Sequence, residues 1–438
     1  MGVAVAELAG VTDVIRLRSR YIAARDADVP ISVYLGEPPQ LIPGCTVEDI
    51  SWSWGASGDS GVLTTVDAGS GSFRLYDPGR IFDPTNTDAL GNIGTVIRVT
   101  VAGVDAFRGR IDDIAHDLFT ATIRVVDDVS ALAAVQFVET NVPAETSSAR
   151  VKRILDLAAW PADRRDIGPG GVALQAGTVA ADAWSELVEV TRNELGALWL
   201  TPAGIVTWRA RADAWAGGTP VMTFGCPPSD AYLIDIANRA DQSALVNYLS
   251  AARRGGTQAT VSDQQSLGLY GPHTHVQNDL ELVADGDRDL WSDFYLRRQA
   301  YPARGVGGFT TRPGSSAIQK ALALPFGAIV RVVDSGHGPD LDRPARWLGA
   351  HWNCQPGVIE LVTTTGEDAS IRMLDRSRSL DTPAQWQAAN PFGTLINPGY
   401  AEPGLVPAKL WPTMWDALTD DVSWDDVDPA ATWNTVWT

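Results

Sequence analysis

Two histidines two residues apart, His273 and His275, could bind a metal ion through their imidazoles. On a strand, residues i and i+2 share a face, so both rings could reach one ion, with Asp279 or Glu281 as a third ligand. The pair follows a Tyr-Gly-Pro turn, and the alternative is two surface histidines. We expect no metal and no cofactor, and His273 and His275 are the metal candidates.

A second string, Gly58-Asp59-Ser60-Gly61, resembles the nucleophile motif of trypsin-like serine proteases. In those proteases the histidine base and its aspartate precede the serine along the chain. The first histidine here is His116, which follows the string. Glycine, aspartate and serine are typical of turns, so the string predicts a turn between two strands.

A third group of reactive side chains lies in RIDDIAHDLF (110–119), where a carboxylate pair could act as in a glycosidase. On a strand, however, Asp112 and Asp113 would point to opposite faces, which favours solvated hairpin charges. No phosphate-binding glycine loop, HExxH or GxSxG motif is present in the sequence. The sequence therefore predicts a protein that is not an enzyme.

The elements that carry these residues predict a mainly β protein with an α+β insert. Residues 1–140 alternate β-branched and polar residues between turn-forming clusters, which predicts a first β domain. Residues 141–212 predict the α+β insert. There Ser147 or Ser148 can cap one helix, Asp182 can cap another, and a hairpin follows.

Strand patterns return at 213–366, with one helix expected at 287–301, and this part predicts a second β domain. Residues 367–438 are rich in Pro and Trp and predict an extended C-terminal tail. Five tryptophans of this tail are the expected partner-docking residues, since exposed aromatic side chains pack on a partner or on the body of the protein. They are Trp411, Trp415, Trp424, Trp433 and Trp437.

Composition excludes several classes of function. With 34 basic and 53 acidic residues the net charge is −19, which argues against a surface that binds nucleic acid by neutralising phosphates. The three cysteines, Cys45, Cys226 and Cys354, are too few and too far apart for a fully paired disulfide framework or a cysteine zinc cluster. No apolar run is long enough to span a bilayer, so we expect no membrane anchoring.

Two Asp-Pro pairs in FRLYDPGRIFDPTN (73–86) predict a structural corner. Aspartate can hydrogen-bond forward to the backbone, proline fixes φ, and the glycine is expected to take a conformation that other residues resist. The residues between the two pairs are too few for a strand, so we expect the phenylalanine to be buried. The corner residues are Asp77, Pro78, Gly79, Phe82, Asp83 and Pro84.

Four strings in order resemble one family, the baseplate hub or tail-associated minor tail proteins of long-tailed, siphovirus-type phages, especially those that infect actinobacteria. Together they cover about 70–365 of the chain. The strings are FRLYDPGRIFDPTN (73–86) with the strand at 94–99 and FRGRI (107–111), VVDDVSAL (125–132), DQQSLGLYG (263–271) with the helix that follows it, and 327–333 with WLGAHW (347–352).

The resemblance implies a homotrimer of two β-barrel-like hub domains per chain that forms a ring and adapts a sixfold tail tube to a threefold tip. It implies a conduit for the tape measure protein and for DNA, which passes without specific binding. The expected partners are other tail proteins: the distal tail protein, the tape measure protein and tip or fibre proteins. The implied location is the virion, at the phage tail tip, after synthesis in the host cytoplasm.

Two other functions remain open from the sequence. The first is a carbohydrate-recognising receptor-binding protein, or adhesin, whose tryptophans would stack on sugar rings. The second is a tail-borne cell-wall hydrolase that uses Asp/Glu pairs. Many hubs of the resembled family carry a hydrolase or receptor-binding domain after the hub. The segment with the five tryptophans stands there instead, so we expect those activities in other chains and expect 405–438 to dock a neighbouring tail component.

Overall fold

The computed structural model describes residues 30–367, except for 37–38, 42–45, 57–63, 67, 87–90, 216–218, 226–229, 232, 242–244, 314, 335–340 and 356–357. The Trp-rich tail and the Gly58–Gly61 string therefore lie outside the described residues. No helix among the described residues is long and apolar enough to cross a membrane.

The described chain is mainly β, as the sequence predicts. The strands of the first part are β1 (Ile31–Leu35), β2 (Gln40–Leu41), β3 (Thr46–Gly55), β4 (Thr64–Thr65), β5 (Ser70–Tyr76), β6 (Val96–Val101), β7 (Val104–His116) and β8 (Thr120–Asp127). Those of the middle part are β9 (Thr140–Val142), β10 (Glu145–Thr146), β11 (Arg165–Ile167), β12 (Ala173–Leu174), β13 (Gly177–Val179), β14 (Ala197–Leu200) and β15 (Val206–Arg209).

The remaining strands are β16 (Met222–Gly225), β17 (Leu233–Asp241), β18 (Tyr248–Arg253), β19 (Ala259–Ser262), β20 (Thr274–Leu280), β21 (Ala303–Thr311), β22 (Ile329–Asp334), β23 (Leu341–Gln355) and β24 (Val358–Glu367). The helices are α1 (Asp128–Ala133), α2 (Ser147–Leu157), α3 (Ala183–Glu194), α4 (Arg211–Ala214), α5 (Gln264–Tyr270), α6 (Asp285–Gln299) and α7 (Ser315–Leu322). A 3₁₀ turn spans Ala162–Arg164.

A 13-stranded sheet runs through both ends of the described chain in the order β17-β21-β24-β23-β3-β5-β8-β7-β6-β1-β2, with β22 beside β23 and β16 beside β22. Alternation explains how its strands bury one face: in β5, Phe73 and Leu75 point into the core while Ser72 and Arg74 are exposed. One apolar core lies under this sheet. The described strands form an open path and no closed barrel, so the barrel-like closure stays a prediction.

The sheet contains the same arrangement of six strands twice. In the first repeat the pairing order is β3-β5-β8-β7-β6-β1, and in the second it is β17-β21-β24-β23-β22-β16. The strands follow each other along the chain in the same sequence in both repeats. The outermost pair differs, because β1 is antiparallel to β6 whereas β16 is parallel to β22.

Hydrogen bonds and sequence confirm the repeat in detail. Gly94 (φ 83°) donates its N–H to the Ile111 carbonyl at 2.8 Å, and Gly327 (φ 79°) donates to the Trp347 carbonyl at 2.8 Å. The two glycines begin GTVIRVT (94–100) and GAIVRVV (327–333). A bulge follows Ile111 in β7 and Trp347 in β23, so these two residues are equivalent.

The two repeats are joined inside the chain by the antiparallel pair β3–β23, which we call the internal joint. Trp52 lies opposite Trp352, and the two rings stack with centroids 5.7 Å apart. Gly55 lies opposite Gly349, where a Cβ on Gly55 would stand 2.3 Å from the Gly349 Cα. The close approach of the two backbones therefore requires glycine.

A second apolar core lies outside the large sheet and combines side chains from two segments of the chain. The insert contributes α2, α3, β14 and β15, and 246–300 contributes to the same core. The reason is packing: α6 lies against β18, and its apolar side chains meet those of the insert. Buried members from both segments are Val151, Leu187, Leu198, Trp208, Leu249, Leu280 and Trp291. The division of the chain into four domains stays a prediction.

The helix expected at 287–301 is α6, which spans Asp285–Gln299, and the two predicted helix caps have different outcomes. Asp182 caps α3 by accepting the Ser185 N–H at 2.9 Å, as predicted. The cap of α2 is Thr146 and not Ser147 or Ser148, because its hydroxyl accepts the Ala149 N–H. The predicted hairpin after α3 is the antiparallel pair β14–β15.

Candidate functional site

The corner between β5 and β6 is fixed by one buried carboxylate. Asp77 accepts the N–H groups of Ile81 at 3.0 Å and Phe82 at 2.9 Å, so both oxygens hold the returning chain. The Phe82 side chain is 0% exposed, as expected. The expected role of Gly79 is wrong, because the positive φ of this turn belongs to Arg80 (54°).

The second Asp-Pro pair forms a smaller turn of its own. Asp83 accepts both the backbone N–H and the hydroxyl of Thr85, at 2.9 and 2.7 Å, and forms an ion pair with Arg80. The hydroxyl and then the backbone of Thr85 lower the pKa of the Asp83 carboxyl, while burial opposes them. Each aspartate thus orders the residues that follow it.

The corner is tied to the β7–β8 hairpin. His116, at the end of β7, places its Nε2 3.3 Å from the Asp77 carboxylate, and both side chains are buried. The Asp77 N–H also donates to the Phe119 carbonyl at 2.6 Å. These contacts join the hairpin to the corner.

Exposed apolar side chains lie together at the tip of this hairpin: Leu118 and Phe119 from its turn, and Tyr76 from the end of the neighbouring strand β5. We call these three residues the hairpin tip. Their exposed fractions are 83% for Leu118, 55% for Phe119 and 42% for Tyr76, and the two rings lie 6.4 Å apart. Sequence reasoning missed them. The available signal was the Leu-Phe pair in a turn, where polar residues are the rule.

The outer face of the central strands is covered by short polar side chains, and we call it the polar face. Ser51 of β3, Ser72 of β5 and Arg124 of β8 lie in one row across the strands. In the neighbouring row the Ser53 hydroxyl lies 3.3 Å from the Ser70 carbonyl. Such a surface presents hydroxyl groups and offers little apolar area for adhesion.

Two ion pairs lie among the charged side chains of this face. Arg124 contacts Asp112 at 2.8 Å, and Arg74 contacts Glu48 at 3.1 Å. Asp112 and Asp113 are both exposed, instead of pointing to opposite faces, because a bulge in β7 inserts one residue there. Asp112 is therefore ion-paired with Arg124, whereas a glycosidase uses a pair of carboxyl groups that flank the bond to be cleaved.

The two candidate metal ligands take separate contacts. His275 stacks on Tyr295 of α6 with ring centroids 5.2 Å apart, and burial lowers the pKa of its imidazole. The His273 backbone N–H donates to the Asn247 side chain at 2.7 Å. In the ranges that the structure describes, no group of three His, Cys, Asp or Glu side chains is placed to hold a metal ion.

The DQQSLGLYG string forms α5 and anchors it. Asp263 caps the helix by accepting the Ser266 N–H at 3.0 Å, and the Ser266 hydroxyl donates to the Ala300 carbonyl at the end of α6. The buried Asn247 side chain donates to the Gly271 carbonyl at 2.7 Å. The spacing of this motif therefore serves packing between two helices.

Comparison with known proteins relies on structure alone, since no protein-family model and no curated protein matches the sequence. The tail protein from Neisseria meningitidis MC58 matches with a TM-score of 0.55 and 14% identity, over 78% of this chain and 96% of its own. The 43 kDa tail protein of prophage MuSo2 from Shewanella oneidensis matches with a TM-score of 0.55 and 12% identity, over 78% and 99%. The chain has the fold of these phage tail proteins.

Within this tail-protein fold, the predicted site residues divide into three groups. The corner residues lie together next to the hairpin tip. His275 lies against α6, and His273 lies beside Asn247. The tryptophans predicted to dock a partner are outside the described residues, so they remain a prediction.

Proposed function

We propose that this protein is a structural component of a phage tail tip, a homotrimeric baseplate hub with no enzymatic role. The observation that carries the proposal is the likeness to two phage tail proteins, each matched over almost its whole length. The sequence resemblance to baseplate hub and minor tail proteins points the same way, and it adds a siphovirus-type phage of actinobacteria. The protein would be made in the host cytoplasm and become part of the virion.

The two repeats support the adaptor role. Three chains contain six repeats, so a ring of three chains can meet a sixfold tail tube on one side. Each chain has one second core, whereas it has two repeats. Three chains would therefore present three copies of this core, which could contact a threefold tip on the other side. Symmetry matching of this kind needs no catalytic residue.

The polar face supports the role of a conduit wall for the tape measure protein and DNA. Among its described residues, Arg74 and Arg124 each form an ion pair with a carboxylate, and the serines are neutral. These residues therefore present no cluster of unpaired cations. The chain as a whole carries a net charge of −19, which repels a polyanion. DNA would therefore pass without being held.

The proposed partners are the distal tail protein, the tape measure protein and tip or fibre proteins, with 405–438 docking one of them. Deleting 405–438 should then block tail assembly or infectivity. Normal tails from the deleted chain would remove the docking role and leave the hub proposal standing.

The deciding experiment combines light scattering with an image of the assembled particle. We expect a mass three times the 46.8 kDa of the chain and density for a ring at the tail tip. A monomer that binds glycans would favour the receptor-binding alternative. Location of the chain away from the tip would contradict the hub, and a lumen lined by arginines would contradict the conduit wall that repels DNA.

A further inference from the structure

The long strands β7 and β23 are equivalent in the two repeats. Among the described strands, one covers the edge of β23 beyond its bulge, but none covers the equivalent edge of β7. In the second repeat, β22 pairs with the first half of β23, and β3 covers the same edge beyond the bulge, at Gly349–Cys354. In the first repeat, β6 pairs with the first half of β7. Among the described strands, none covers the same edge beyond the bulge, at 113–116.

Among the described strands, the one equivalent to β3 has a neighbour on one edge only. In the second repeat this strand is β17, which ends the sheet path and pairs with β21 alone among the described strands. VEDIS (47–51) in β3 matches LIDIA (233–237) in β17, and both strands carry a bulge at the same place. The chain thus contains β3 and β23, which pair with each other, and the equivalent strands β17 and β7, which do not pair with each other within the chain.

We propose that the free edge of β7 in one copy of the chain pairs with β17 of a second copy, antiparallel, as β23 pairs with β3 in the internal joint. This interface rests on the proposed homotrimer and specifies how its chains meet. The partner is a second copy because the chain already contains both halves of the joint, and because the internal joint shows that the two strand types fit each other.

The bulges fix which residues would face each other. Trp347 and Gly349 flank the bulge of β23 as Ile111 and Asp113 flank that of β7, so Ala350, His351 and Trp352 correspond to Ile114, Ala115 and His116. Counted in the same way from the bulge of β17, Trp52, Ser53 and Trp54 correspond to Asn238, Arg239 and Ala240. Ala115 would therefore lie opposite Arg239 of the second copy.

The interface accounts for two exposed features of the isolated chain. An uncovered strand edge is a risk of uncontrolled pairing, and natural proteins cover or charge such edges. The hairpin tip follows this edge directly, and Leu118 is 83% exposed. A second copy paired with 114–116 would lie against Leu118 and reduce its exposure.

The joint between copies would be shorter than the internal joint. The pair equivalent to Gly55 and Gly349 is Asp241 and Asp113, and two like charges opposite each other are destabilising. We therefore place the pairing at Ile114–His116. Because the contact is head to tail, it closes into a ring only if the rotation between copies permits, and otherwise extends into a filament.

A disulfide placed across the interface tests this inference. Residues directly opposite in antiparallel strands have Cα atoms about 4.5–5.5 Å apart, within the range that a disulfide bridges. We would prepare the full chain as Ala115→Cys with Arg239→Cys, oxidise it and separate it on a non-reducing gel. The matched control is Ala115→Cys with Ile236→Cys, in which the two cysteines would be about 10 Å out of register along the strand. Cys45, Cys226 and Cys354 are present in both.

We expect covalent species that stop at three chains for the first variant and single chains for the control. A trimer by light scattering without covalent linkage would overturn this interface and leave the homotrimer standing. A ladder beyond three chains would support the strand pairing but contradict the closed homotrimer. A monomer by light scattering, in a variant that keeps the melting temperature of the natural sequence, would overturn both.

Discussion

Replacing Phe82 by alanine tests whether the corner is a structural unit. The ring is fully buried in the main core, and a Cβ on Gly91 would lie 2.4 Å from it, so the neighbouring loop is packed directly on its surface. Removing the ring would leave a cavity that the loop cannot easily fill. The reason is that Asp77 holds the backbone of Ile81 and Phe82 in place through two hydrogen bonds.

The magnitude follows from burial. Full burial of such a side chain contributes about 1.5–3 kcal/mol, and the unfilled cavity adds to the loss, so the free energy of unfolding should fall by about 3–5 kcal/mol. This is a large part of the roughly 5–15 kcal/mol that stabilises an ordinary domain. We would measure it by urea denaturation, with tryptophan fluorescence as the signal.

The matched control is Phe119→Ala, the same chemical change at a ring that is 55% exposed on the hairpin tip. It should cost less than about 1 kcal/mol in the isolated chain, because exposed surface positions contribute little. A loss below about 1 kcal/mol for Phe82→Ala, or equal losses for the two variants, would refute the role assigned to the corner.

Three further predictions concern other parts of the described chain. Gly349→Ala should open the internal joint and lower the melting temperature, because its Cβ would stand 2.5 Å from the Trp54 carbonyl oxygen, whereas Gly268→Ala in α5, with nothing within 4 Å, should be neutral or stabilising. Burial raises the pKa of Asp127 to about 7 against hydrogen bonds from the Gly69 and Val129 N–H groups. Between about pH 4 and 7 the folded chain therefore binds a proton that the unfolded chain has lost. The free energy of unfolding should fall by up to about 1.4 kcal/mol per pH unit as pH rises through that window, a slope absent from Asp127→Asn. Asp263→Ala should cost about 1 kcal/mol through loss of the α5 cap in thermal unfolding, and Asp263→Asn should retain most of it.

Local chemistry made part of the fold predictable from the sequence. Alternation predicted strands such as β5, an Asp before a helical pattern predicted the cap of α3, and the spacing of Pro and Asp predicted a buried Phe82. These features depend on a few neighbouring residues. The resemblance over 70–365 predicted a tail protein, and the likeness of the fold to two tail proteins agrees with it.

The features that sequence reasoning missed depend on distant contacts. No sequence pattern within 246–300 indicates that this segment packs with the insert, because the same strand and helix patterns would also fit a second β domain. The repeat was visible in GTVIRVT and GAIVRVV, but six strands interrupted by a long insertion conceal it. Gly79 was expected to take the positive φ because glycine does so most readily, yet Arg80, which forms an ion pair with Asp83, takes that conformation one residue later.

The internal joint also affects how the chain can fold during synthesis. β3 leaves the ribosome early, but its partner β23 follows only after about 300 residues, which at about 5–20 residues per second takes roughly 15–60 s. Throughout that interval β5 can pair with one edge of SWSWG (51–55), but the other edge, which pairs with β23 in the folded chain, has no native partner. Nascent chains on neighbouring ribosomes present the same edge at the same time, so the yield of folded protein should depend on translation speed and on chaperones that shield the first repeat.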